Sequence, residues 1–62
     1  MNDELKAMRL RKILLDVELR MEGMKAENDE RIWKGMAPGY DEHAFDELAC
    51  ELENRFNAEY QL

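Results

Sequence analysis

The sequence predicts an all-α protein, a helical hairpin that assembles into a helical-bundle homodimer. Two long segments have apolar residues at spacings of three and four, one cluster of Gly and Pro separates them, and no segment alternates like a strand. A chain of 62 residues makes at most a single domain, 1–62, and buries only about 60% of its unfolded surface. Because the one cysteine excludes an internal disulfide, we expect self-association to supply the missing stability.

The first helix is predicted over residues 3–27, because strong helix formers fill this segment and Glu4 suits the positive end of the helix dipole. Gly23 and Asn28 weaken the helix. We therefore expect a break or bend near residues 23–28, followed by a short helix over residues 29–34 with Asn28 as its N-cap. An unbroken helix would be about 48 Å long, more than the second helix could cover.

Two apolar stripes run along opposite sides of the first helix. One contains Leu10, Ile13, Leu14, Val17, Met21 and Met24, and the other contains Leu5, Met8, Leu15 and Leu19. A helix packed only within its own domain needs one stripe, so the second indicates contact with another chain. The first stripe is longer and has near-heptad spacing, which favours it as the oligomer interface and leaves the other for the hairpin's own seam. The second helix cannot cover both stripes, and the sequence leaves their roles open.

A connector is predicted over residues 35–40, where Gly35 suits a left-handed helix end and Pro38 cannot continue a helix. The second helix is predicted over residues 42–60, with Asp41 as its N-cap. Its apolar residues form one stripe: Phe45, Leu48, Ala49, Leu52, Phe56 and Tyr60. The one-sided pattern predicts a helix with a single packed face.

Charge is distributed unevenly along the chain, whose formal net charge is −6. Residues 1–26 sum to +1 and residues 27–62 sum to −7, and six of the ten acidic residues of the second segment lie on the second helix. This asymmetry indicates a protein partner with a basic surface, since complementary charge speeds association and gives specificity. The predicted partner-binding residues are Asp46, Glu47, Glu51, Glu53 and Trp33. For Trp33, beside Ile32 and Met36, capping of the hairpin core is the competing interpretation.

The sequence shows no catalytic or metal-binding constellation. His43 and Cys50 are each the only residue of their type, so neither a zinc site nor a Cys–His pair at a spacing of three or four is present. We therefore predict a non-enzymatic protein without a cofactor. No signal peptide or long apolar run is present, so we expect a cytoplasmic protein that does not cross a membrane.

The predicted function is an acidic interaction module that self-associates and binds or inhibits a partner, for example a nucleic-acid enzyme in the manner of small phage regulators. An RNA- or DNA-binding dimer is the alternative, with Arg9, Arg11, Lys12 and Arg20 as its cations. We disfavour nucleic acid because Asp16 and Glu18 interrupt this basic set. In architecture, an acidic hairpin dimer resembles the plasmid copy-number regulators that bind paired RNA loops.

A second resemblance covers residues 39–60. Small aspartyl-phosphate phosphatases of the sporulation phosphorelay are helical hairpins with Ser-Gln-Glu-Leu-Asp on the second helix and an aromatic residue further along. The corresponding segment here is Ala49-Cys50-Glu51-Leu52-Glu53, followed by Phe56 and Tyr60. The resemblance implies a phosphatase acting through Glu51 and Glu53, although the family's Ser is Ala49 here and its functional Asp is Glu53.

Overall fold

The computed structural model describes residues 2–60 and contains two helices, α1 (Asn2–Trp33) and α2 (Glu42–Tyr60). They form the predicted hairpin with a long first arm. The side chains of Asn2 and Tyr60 lie outside the described part, so the predicted place of Tyr60 on the apolar stripe is not described. The helices pack side by side as a layer that measures 52 × 17 × 7 Å between Cα atoms.

The predicted break in the first helix is wrong. α1 continues through Gly23 and Asn28 to Trp33, so no separate helix exists over residues 29–34. Asn28 is not an N-cap; its Nδ2 donates to the carbonyl of Tyr40, and its Oδ1 accepts from the Tyr40 amide, both at 2.8 Å. Because this side chain is committed to the connector, it does not compete for the backbone of its own helix.

The end of α1 is a Schellman motif, as the position of Gly35 predicted. Gly35 has a φ of 80° and donates to the carbonyl of Ile32 at 2.9 Å, while the Met36 amide donates to the carbonyl of Arg31 at 2.8 Å. The Arg31 side chain also donates to the carbonyl of Ala37 at 2.9 Å. The connector therefore folds back onto the last turn of α1.

Two further residues of the connector have definable roles. A Cβ added to Gly39 would lie 3.2 Å from Cδ of Arg31, so glycine leaves room for the arginine side chain. Asp41 is the N-cap of α2, as predicted, because its Oδ1 accepts from the Ala44 amide at 2.9 Å. Together with the Asn28 contact, these interactions set where α2 begins relative to α1.

The seam between the helices uses the stripe that the sequence favoured for the dimer interface. Ile13 and Val17 of α1 are buried at 8% and 6% exposure, and Leu48 of α2 in the same chain is buried at 6%. The stripe expected at the seam is instead exposed along the outside of α1: Leu5, Met8, Leu15 and Leu19. The assignment of seam and outer stripe is therefore corrected, and use of the seam residues by a second subunit stays a prediction.

Candidate protein-interaction site

The flat hairpin has one charged face, formed by ion pairs beside the seam. Arg20 binds Glu51 through both terminal guanidinium nitrogens, Nη1 and Nη2, with Nη2 to Oε1 at 3.3 Å. Nη1 of Arg55 donates to Oδ2 of Asp16 at 2.8 Å and lies 3.5 Å from Oε2 of Glu51. These four residues alternate in charge and sum to zero, so the charged face carries no net charge of its own.

These contacts perturb three ionisable groups. The hydrogen bond from Arg55 lowers the pKa of Asp16, and the hydrogen bond from Arg20 lowers the pKa of Glu51. The same bond to Glu51 raises the pKa of Arg20. All these groups are partly solvated, so the ion pairs between them add little stability. Their main effect is to favour one rotation of α1 about its own axis relative to α2.

The predicted basic set of α1 does not form one patch. Arg9 lies 3.9 Å from Glu59, and Arg20 is bound to Glu51, so both are paired with α2. Arg11 and Lys12 take part in none of the ion pairs between described residues. They are neighbours in sequence and therefore point about 100° apart around the helix. A nucleic-acid interface needs several cations on one face, and this geometry disfavours one.

The predicted acidic set of α2 separates into two groups. Glu51 faces α1 and is occupied by Arg20 and Arg55. Glu47 is exposed, and its Oε1 lies 2.9 Å from Nε2 of His43. The predicted residues Asp46 and Glu53 are exposed on the edge of α2 away from α1, together with Glu42, which was not among the predicted partner-binding residues. None of these three takes part in an ion pair between described residues. We call these three the acidic edge.

The predicted anchor Trp33 lies at the hairpin end that carries the connector. Its side chain is 86% exposed, and its neighbours Ile32 and Met36 are also exposed. Trp33 therefore does not cap the core of the hairpin. A large exposed aromatic residue of this kind is typical of a binding anchor, and Glu42 of the acidic edge begins α2 at the same end.

The arrangement supplies little for chemistry. Among residues 2–60, no group of three or more His, Cys, Asp or Glu side chains could hold a metal ion. Cys50 is an exposed free thiol on α2. Glu51 and Glu53, the pair that the phosphatase resemblance implied, point about 200° apart on α2, and Glu51 is already bound by arginine. They do not converge on a common substrate position.

Comparison with known proteins adds no relative, since the chain matches no protein-family model, no curated protein and no solved structure. Within the part of the chain that the structure describes, neither helix is long and apolar enough to cross a membrane.

Sequence reasoning missed one residue that organises this site and assigned the wrong role to another. Arg55 is the only cation of α2, and its contacts with Asp16 and Glu51 join the helices. Its isolation among acids was a usable signal for such pairing. Asn28 was singled out for the wrong role, since its contact with Tyr40 spans 12 residues and no local pattern indicates it.

Proposed function

We propose that this protein is a non-enzymatic interaction module that self-associates and binds a partner protein with a basic surface. The acidic edge carries the proposal. Glu42, Asp46 and Glu53 are exposed and unengaged by the hairpin's ion pairs, whereas the paired cations of α1 are turned towards α2. Such an edge attracts a basic surface at long range and selects against acidic ones.

Self-association is supported by the size of the core. Only Ile13, Val17 and Leu48 are buried hydrophobic residues in the described part, and none of them is fully buried. A core of this size gives a chain of 62 residues little stability by itself. A second subunit would bury apolar surface that the hairpin leaves exposed. Inhibition of a nucleic-acid enzyme at its basic channel is one concrete form of the proposed partner binding.

The test of partner binding compares two variants of equal net charge. One removes the acidic edge (Glu42→Gln, Asp46→Asn and Glu53→Gln), and the matched control removes three exposed acids of α1 (Asp3→Asn, Glu4→Gln and Glu22→Gln). Proteins captured from a native lysate would be compared by quantitative mass spectrometry at low and high salt. We expect the edge variant to lose partners that the control keeps, and salt to weaken their capture. Equal capture by both variants would contradict a role for the acidic edge.

A further inference from the structure

The second face of the hairpin, opposite the charged face, contains an apolar depression that the chain leaves open. Leu10, Leu14 and Leu15 of α1 line it together with Phe56 of α2. Leu14 remains 37% exposed although it lies next to the buried residue Ile13. The apolar lining continues towards the connector past Met21, in a second depression that residues of both helices line. We call this surface the apolar face.

Two opposite charges stand at the rim of the depression. Arg11 and Glu18 both line it, both are exposed, and neither takes part in an ion pair between described residues. They are seven residues apart, so they project from nearly the same side of α1, about 10 Å from each other along the helix. The midpoint between them falls at Leu14 and Leu15.

This spacing is self-complementary. When two copies of α1 lie antiparallel about a two-fold axis at Leu14–Leu15, Arg11 of each copy faces Glu18 of the other. The axis also passes the level of Phe56, which lines the same depression. One symmetric arrangement thus covers the apolar residues and forms two ion pairs, each between Arg11 of one copy and Glu18 of the other.

We propose that a second copy of this chain occupies the apolar face, with its α1 antiparallel to the first and the two-fold axis at Leu14–Leu15. The proposal rests on the self-association half of the proposed function and specifies the surface that performs it.

The arrangement separates two of the three residues of the acidic edge from the axis. Asp46 lies ten residues from Phe56 on α2, which places it about 15 Å from the axis, and Glu42 lies further away, whereas Glu53 is three residues from Phe56 and about 5 Å from the axis. Asp46 and Glu42 of the two copies then lie towards opposite ends of the dimer and stay accessible to a basic partner. Leu19 does not line the depression, unlike Leu15 of the same outer stripe.

The test is a charge swap measured by analytical ultracentrifugation at moderate ionic strength. Arg11→Glu and Glu18→Arg each create two like-charge contacts across the axis, and we expect either variant to weaken dimerisation about tenfold. The double variant restores opposite charges in exchanged positions and should recover the wild-type dissociation constant. Circular dichroism checks that each variant keeps its helix content, so that loss of folding is not read as loss of association.

Two apolar variants locate the face independently. Leu14→Gln should weaken the dimer, and the matched control Leu19→Gln, at a position 73% exposed on the outer stripe, should leave it unchanged. A dimer that responds to Leu19→Gln but not to the charge swap would overturn this interface and leave self-association intact. A wild-type protein that stays monomeric up to about 100 μM would overturn both, while the lysate comparison of the acidic edge would still stand.

Discussion

Removal of the Asn28 side chain should loosen the connector without disturbing α1. Asn28→Ala deletes both 2.8 Å hydrogen bonds to Tyr40 and leaves the Tyr40 amide and carbonyl without these partners. The site is partly buried, so water replaces the lost partners incompletely. The substitution therefore tests whether this contact, rather than the connector sequence by itself, holds α2 at its position along α1.

The expected magnitude follows from two opposing terms. Two neutral hydrogen bonds contribute about 1 kcal/mol each, and replacing Asn by Ala inside a helix returns about 0.6 kcal/mol. The free energy of unfolding should fall by about 1.4 kcal/mol. This loss is a large part of the roughly 3–9 kcal/mol expected for a chain of this length. The melting temperature should fall by roughly 5–10 °C.

Asn54→Ala is the matched control, because Asn54 lies exposed inside α2 and forms no side-chain hydrogen bond with a described residue. Because alanine has a higher helix propensity than asparagine and no contact is lost, this variant should be more stable than the wild type by about 0.6 kcal/mol. Both variants would be unfolded in urea at one protein concentration and followed by circular dichroism, since a dimer's stability depends on concentration. If the two variants were equally stable, the contact between Asn28 and Tyr40 would contribute nothing and the reasoning would be refuted.

Three other predictions concern the helix ends and the charged face. Gly35→Ala should lower the free energy of unfolding in urea by about 1 kcal/mol, because residue 35 has a φ of 80°. Gly23→Ala should raise it by about 1 kcal/mol, because Gly23 lies inside α1 and no atom is near the added methyl group. Asp41→Ala should cost about 1 kcal/mol through loss of the α2 N-cap, and Asp41→Asn should restore most of it. Glu51 has a lowered pKa in the fold, so its stabilising contribution is present above the ordinary value of 4.5 and is lost as pH falls through the lower folded pKa. The stability difference between wild type and Arg20→Met should therefore shrink in melts below about pH 4.5, and a difference independent of pH would contradict the role of the Arg20–Glu51 pair.

The predicted helix boundaries at the connector were accurate because their signals are local. Gly35 ends α1 through its own backbone conformation, and Asp41 begins α2 through a bond to an amide three residues away. The same kind of reasoning failed at Asn28, which has the composition of a helix start. Its partner Tyr40 is 12 residues away, and only the folded connector brings the two together.

The sequence by itself determined the helical class, the hairpin and the uneven charge of this protein, since periodicity and turn chemistry act within a few residues. It also supplied two apolar stripes on α1 without deciding between them. The tertiary structure made that decision: α1 is turned so that Ile13 and Val17 are buried, while Asp16 and Arg20 reach their partners on α2. The physical reason is that the observed rotation of α1 buries Ile13 and Val17 and also pairs Arg20 with Glu51 and Asp16 with Arg55, contacts between residues 31 and 39 positions apart that no local pattern specifies.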